Sequence, residues 1–155
     1  MKKIKLSWLL LILCLCSCSN EEIFYEFHSF EKGEWTREEP AVFTLNVTDT
    51  LSYYTLDLVL RNDDSYAYQN IWLFIDRKNP EGEIRSDSLN VELADVYGKW
   101  HGKGLSLYSL SIPYLSSLRY DSGGDYTYTI RQGMRENPLK GVSDIGLKLS
   151  KQTAQ

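Results

Sequence analysis

The sequence predicts an all-β domain: a single antiparallel β-sandwich of about eight strands, immunoglobulin-like or jelly-roll-like in arrangement. Three observations carry that expectation. From Ile23 onward the apolar residues alternate at period two, the pattern of half-buried strands rather than of amphipathic helices. Clusters of turn-forming residues break the alternation at short intervals. The 155-residue chain also holds eleven tyrosines, whose flat rings suit a pleated, half-buried surface.

Taken in order, strands are expected at Phe24 to Phe30, Ala41 to Val47, Tyr54 to Arg61, Asn70 to Lys78, Ile84 to Leu93, Leu105 to Tyr114, Tyr126 to Arg131 and Ile145 to Leu149. In Tyr54 to Arg61 the side chains of Tyr54, Leu56, Leu58 and Leu60 point one way, and those of Thr55, Asp57, Val59 and Arg61 the other. In Asn70 to Lys78, Ile71, Leu73 and Ile75 share one face while Trp72, Phe74 and Asp76 share the other. Both faces of that strand are largely apolar, which places it at the centre of a sheet. Asn62-Asp63-Asp64-Ser65, Asn79-Pro80-Glu81-Gly82 and Asp121-Ser122-Gly123-Gly124 supply the tight reversals. At most one short helix is expected, at Leu115 to Tyr120 or in the turn after Gln132.

The N-terminal segment is of a different kind. Lys2, Lys3 and Lys5 precede an apolar stretch from Leu6 to Leu15, followed by Cys16, Ser17 and Cys18. This is the layout of a signal peptide, and its apolar part is shorter than the roughly 20 residues that a helix needs to span a bilayer. The segment resembles the lipobox of bacterial lipoproteins, with Leu15 three residues before the cysteine and the small Ser17 directly before it. The resemblance assigns lipidation to Cys18, which would carry diacylglycerol and a further acyl chain such as palmitate. Cys14 and Cys16 follow Leu13 and Leu15 and lack the preceding small residue. The expected organisation is a cleaved lipoprotein signal peptide at 1–17, a lipidated tether at 18–22, the sandwich at 23–150 and a C-terminal tail at 151–155.

Cleavage before Cys18 removes three lysines and no acid, taking the formal charge from -4 to -7. An acidic domain of this kind does not attract nucleic acid. All three cysteines lie at or before Cys18, so the mature chain would have no disulfide and no thiolate ligand, and the fold must rest on its core. About 138 residues remain, enough for one domain. The expected attachment to the membrane is the lipid on Cys18, and no other cofactor is expected.

Catalytic signals are weak. His28 and His101 are far apart and lack the spacing that puts two imidazoles on one metal. There is no Gly-x-Ser-x-Gly turn and no phosphate-binding glycine loop; Gly98 to Gly104 has neither the spacing nor a helical continuation. Asp63-Asp64 reads as a turn and Glu38-Glu39 as a solvated loop. The chain therefore reads as a non-enzyme, with no catalytic, cofactor-binding or metal residues assigned. Aromatic side chains offer a different possibility, since a sandwich can bind glycans by stacking sugar rings. Tyr66, Tyr68 and Trp72, or Tyr97 and Trp100, could form such a platform, although most aromatic rings in a small sandwich belong to the core.

Two stretches carry more than composition. They are Leu93-Ala94-Asp95-Val96-Tyr97-Gly98-Lys99-Trp100-His101-Gly102-Lys103-Gly104, and Gln132-Gly133-Met134-Arg135 followed by Leu139-Lys140-Gly141-Val142-Ser143-Asp144-Ile145-Gly146. Together with Tyr68-Gln69-Asn70-Ile71-Trp72-Leu73-Phe74-Ile75, Pro80 and Gly82, they resemble the gliding motility-associated lipoprotein GldH family. His101 departs from the pattern, which has an apolar residue between the tryptophan and the glycine. The resemblance implies a non-catalytic accessory lipoprotein whose partners are other envelope proteins of gliding motility and type IX secretion. Family members also occur in bacteria that do not glide. A surface glycan-binding lipoprotein is the alternative. An interaction loop is expected around Tyr97, Trp100, His101 and Arg135. Ser19 after Cys18 resembles a signal for leaving the inner membrane, and Glu21-Glu22 resembles an acidic export cluster. The cell envelope, and within it the outer membrane, is the expected location, with the face left open.

Overall fold

The computed structural model describes residues 21–152. Ten strands follow one another: β1 Glu21–Ser29, β2 Glu34–Trp35, β3 Ala41–Val47, β4 Tyr54–Asp63, β5 Asn70–Lys78, β6 Ile84–Glu92, β7 Leu107–Leu118, β8 Gly124–Gln132, β9 Leu139–Lys140 and β10 Val142–Lys151. Eight long strands form two four-stranded antiparallel sheets, ordered β1-β10-β4-β7 and β3-β8-β5-β6, and the short β2 and β9 pair with each other. Each of the eight long strands overlaps one read from the sequence, with some ends displaced: Phe30, Leu93 and Leu105 fall outside β1, β6 and β7, and β7, β8 and β10 run further than expected. Strand β5 lies between β8 and β6, at the sheet centre as its pattern predicts.

Period-two alternation explains the core. From the first sheet, Leu56, Leu58, Leu60, Ile145, Leu147 and Leu149 point inward. They meet Phe43, Leu45, Ile71, Leu73, Ile75, Tyr128 and Ile130 of the second sheet in one continuous buried cluster. Burying each large aliphatic side chain contributes roughly 1.5–3 kcal/mol, which is what holds a domain without disulfides together. At one end of the sandwich Trp35 closes this core. It is fully buried and stacks on Phe30 at 4.4 Å between ring centroids, and its indole N–H donates to the Glu39 carbonyl at 2.8 Å.

The outer face of the first sheet is dressed differently. Phe27 lies so close to Gly146 that a Cβ there would meet the ring at 2.7 Å, and the Arg61 guanidinium sits 3.9 Å from the ring centroid. The missing side chain at 146 makes room for a cation–π stack on the sheet surface.

Three expectations are corrected. Neither Leu115 to Tyr120 nor the turn after Gln132 is helical; among the described residues the helical turn is a 3₁₀ turn at Glu31–Gly33. Leu115–Leu118 continues β7 because register shifts opposite Tyr54, Leu56 and Asp57 absorb the break in alternation. The sandwich also begins earlier than Ile23. Glu21 and Glu22 pair with Lys151 and Ser150, so these two glutamates join β1 and Lys151 joins β10 rather than the tail. The signal segment, Cys18 and residues 153–155 lie outside the described residues.

The strands alternate in direction, so the sandwich has two well-defined ends. Glu21, Lys151, Tyr54 and Leu118 form one row across the first sheet, and the β3–β4, β5–β6 and β7–β8 turns lie at the same end. The opposite end gathers the β1–β3, β4–β5, β6–β7 and β8–β10 connections. The segments that carry the family resemblance fall mainly at that far end.

Candidate interaction surface

At the far end the β6–β7 connection is held by its own polar groups. The Asp95 carboxylate accepts backbone N–H bonds from Tyr97 and Lys99, both at 2.9 Å, and the Gly98 N–H donates to the Asp95 carbonyl. These bonds, the Lys99 N–H foremost, hold the Asp95 carboxyl below its ordinary range. The turn projects Tyr97 into solvent, 92% exposed. Trp100 behaves differently: it turns back toward the sandwich, beside Tyr66 and Tyr108 at centroid distances of 6.3 and 5.8 Å, and its N–H donates to Asp64 at 3.1 Å. His101 stands next to Glu92 at 3.7 Å.

Arg135 belongs to a separate surface. The Gln132-Gly133-Met134-Arg135 segment leaves β8 and runs along the outer face of the second sheet, and each residue has a visible task. Gln132 is buried; its amide N–H donates to the Glu136 carbonyl at 3.0 Å and its amide oxygen accepts the Met134 N–H at 2.7 Å, which fixes the bend. Gly133 donates to the Trp72 carbonyl at 2.7 Å and lies flat against Phe74, where a Cβ would meet the ring at 2.8 Å. The Met134 sulfur accepts the Trp72 N–H at 3.4 Å. Arg37 crosses from the β2–β3 connection and donates to the carbonyls of Met134 and Arg135.

Two open concavities adjoin here and share Gly133, Met134 and Arg135; one is lined also by Arg37 and Phe74, the other by Tyr68 and Trp72, and together they make one groove along this face. Trp72 and Phe74, two residues apart on one strand face, are 42% and 45% exposed. Tyr68 closes the end of the row through a 3.0 Å hydrogen bond from its hydroxyl to Glu136, which together with desolvation raises the phenol above its ordinary range. Arg131 sits opposite Phe74 and pairs with Asp76 at 2.5 Å. Two adjacent aromatic rings, a methionine and guanidinium groups are the side chains enriched where protein partners dock.

The four residues of the expected interaction loop therefore divide. Tyr97 is a solvent-facing tip, Trp100 is partly packed, His101 flanks the same connection, and Arg135 lines the groove with residues from other elements. Of the expected glycan platforms, Tyr66 is buried and its hydroxyl donates to the Asn70 carbonyl, so it offers no ring face; Tyr68 and Trp72 remain available. Phe74, Met134 and Arg37 were not among the residues expected in the interaction loop or the glycan platforms. The available signal was the apolar second face of β5, which in a two-layer sandwich has no third layer to cover it.

A second concavity lies between the sheets at the opposite end, lined by Arg77, Arg85, Arg119, Tyr120, Tyr126 and Tyr128 among others. The Tyr120 and Tyr128 hydroxyls meet at 3.1 Å, and burial pushes both phenols up, so they stay protonated. Arg77 pairs with Asp87, which also accepts the Tyr114 hydroxyl. This is a hydrogen-bonded plug at the edge of the core. His28, near the end of β1, lies 3.4 Å from Glu39, and His101 pairs instead with Glu92, at the end of the edge strand β6 of the other sheet; the described residues contain no cluster of His, Cys, Asp and Glu able to hold a metal.

The groove predicts its own sensitivity. In Gly133→Ala the new methyl displaces the exposed Phe74 ring, which can swing toward solvent, so thermal stability should fall by no more than about 1 kcal/mol. The geometry of the groove changes nonetheless. Near-ultraviolet circular dichroism should alter while the melting temperature barely moves, and a large drop in melting temperature would show that the ring is held more firmly than its exposure indicates.

A family model described as GldH lipoprotein matches residues 22–149. A protein of Christiangramia forsetii described as a gliding motility lipoprotein GldH homolog is 28% identical over 148 residues, covering 90% of each chain. The gliding motility lipoprotein GldH of Flavobacterium johnsoniae is 27% identical over 157 residues, covering 95% of this chain and 97% of its own.

Proposed function

The chain belongs to the GldH lipoprotein family, and from that premise we propose that it is a non-catalytic accessory subunit of the gliding and type IX secretion machinery. It is lipidated at Cys18 and held in the outer membrane, and it contacts a protein partner through the Trp72–Phe74 groove. The observation that carries the partner contact is the exposure of these two neighbouring rings beside Met134, Arg135 and Arg37. A lipid anchor supports the same reading, because confinement to a membrane plane raises the effective concentration of the groove near other membrane-bound components.

In-cell cross-linking followed by affinity purification tests this. Truncating a central interface aromatic commonly costs 2 kcal/mol or more, so Trp72→Ala with Phe74→Ala should lower recovery of gliding or secretion components by about tenfold or more. Membrane level and melting temperature should stay near those of the wild type, since both rings face solvent. Undiminished recovery would remove the groove from the interface. If the wild type retains a polysaccharide, loses it in the double variant and recovers no protein, the glycan-binding reading replaces this one, with Trp72 and Tyr68 as its stacking residues.

A further inference from the structure

The end of the sandwich opposite the groove is where the chain leaves for the lipid. Strand β1 begins at Glu21, only three residues after Cys18. Three extended residues span about 10 Å at most, less than the length of one strand. Whatever surrounds Glu21 must therefore lie close to the bilayer.

Its surroundings are specified by the pairing. Glu21 is opposite Lys151, which is opposite Tyr54, and the Gln152 N–H donates to the Tyr53 carbonyl at 2.8 Å. The β3–β4 loop therefore sits beside the point where the tether enters. That loop is rigidly built around Asp49. Its carboxylate accepts the N–H groups of Leu51 and Ser52 and the Ser52 hydroxyl, and it pairs with Lys151 at 2.7 Å. Its backbone carbonyl accepts the Tyr54 hydroxyl at 2.7 Å, and the Arg119 guanidinium donates to the Thr50 carbonyl. With the loop's polar atoms directed inward, it exposes an apolar tip: Leu51 is 79% exposed and Tyr53 50%. Ile23, at the β1 bulge near the same end, is 46% exposed. A loop pinned by so many bonds yet presenting leucine and tyrosine to water needs a reason, and the tether length supplies the neighbour.

We propose that this end is a membrane-docking surface, with Leu51 and Tyr53, joined by Ile23, seated in the headgroup layer of the bilayer that holds the Cys18 acyl chains. Tyrosine suits that depth, with an apolar ring and a hydroxyl that stays wet. The acyl chains supply the affinity. The loop supplies orientation: it stands the strands away from the bilayer and turns the Trp72–Phe74 groove outward. The inference rests on the lipid-anchor part of the proposed function, and the experiment separates the two.

Full-length Leu51→Cys, processed in cells, would carry one free thiol, because Cys14 and Cys16 leave with the signal segment and Cys18 is acylated. The thiol is labelled with an environment-sensitive nitrobenzoxadiazole dye, and the lipidated protein is reconstituted into phosphatidylethanolamine–phosphatidylglycerol vesicles with or without doxyl-lipid. Tyr53→Cys provides a second position and Tyr97→Cys the far-end control. Labels at 51 and 53 should shift to the blue and be quenched about twofold or more by the doxyl-lipid, while the label at 97 is not. Vesicle flotation reads the anchor independently. Protein that does not float sinks the lipidation reading. Protein that floats with labels at 51 and 53 as unquenched as that at 97 overturns the docking surface. A blue shift without doxyl quenching also overturns it, since the loop is then covered by protein rather than lipid.

Discussion

Cys18→Ala is expected to abolish incorporation of labelled palmitate and to remove the mature form from the membrane fraction. Each buried methylene contributes about 0.8 kcal/mol, and a single chain already binds reversibly, so two or three chains on one cysteine dominate the attachment. Among the described residues no helix is long and apolar enough to cross a membrane. The domain itself should keep its β-rich circular dichroism, because its core begins after the tether. Loss of gliding or secretion activity with the fold intact would show that position, as well as surface, matters. Palmitate labelling of the alanine variant at the wild-type level would place the lipid elsewhere, and full activity of an unlipidated form would reject the account.

Trp35→Ala should be the most damaging single substitution in the described domain, lowering stability by about 3–5 kcal/mol. Trp35 is fully buried, stacks on Phe30, pairs through its backbone with Leu139 and places its N–H on the Glu39 carbonyl. Truncation leaves a cavity where two connecting segments converge and removes the stack on Phe30. Domains of this size carry roughly 5–15 kcal/mol in total, so the variant should melt about 10–20 °C lower. Trp35→Phe keeps the stack but loses the hydrogen bond, and should recover more than half of that loss. A calorimetric melt of the alanine form within a few degrees of the wild type would mean that the β2–β9 corner is not coupled to the core.

The strands were legible because a two-layer sandwich writes its inner face into every second residue. Ala41 to Val47 and Asn70 to Lys78 appear in the structure with the boundaries read from alternation. The same rule could not decide what covers the second face of β5. Alternation reports that Trp72 and Phe74 share a side, but whether another layer lies above that side depends on the whole chain's complement of elements. Trp35 was missed for a related reason: β2 has two residues, too few for any period, and its burial is set by packing across the chain onto Phe30 and Leu139. The failed helix at Leu115 to Tyr120 shows the limit from the other direction, since bulges let a strand continue where its pattern lapses. In the site, Arg135 was found through the segment that carries it, whereas Arg37 reaches the groove from nearly a hundred residues away and leaves no local mark.

The pairing of β1 with β10 has a mechanical consequence. Their hydrogen bonds run perpendicular to the strands, and the chain enters β1 at the end nearest the lipid. A pull on the far-end surface, resisted by the anchor, acts along the strand axis and loads the rungs from Glu21 to Ser29 together instead of peeling them one at a time. The arrangement joins the end of the domain where the chain enters β1 to the surface at the other end through a ladder loaded in shear, the direction in which a β-ladder resists rupture best.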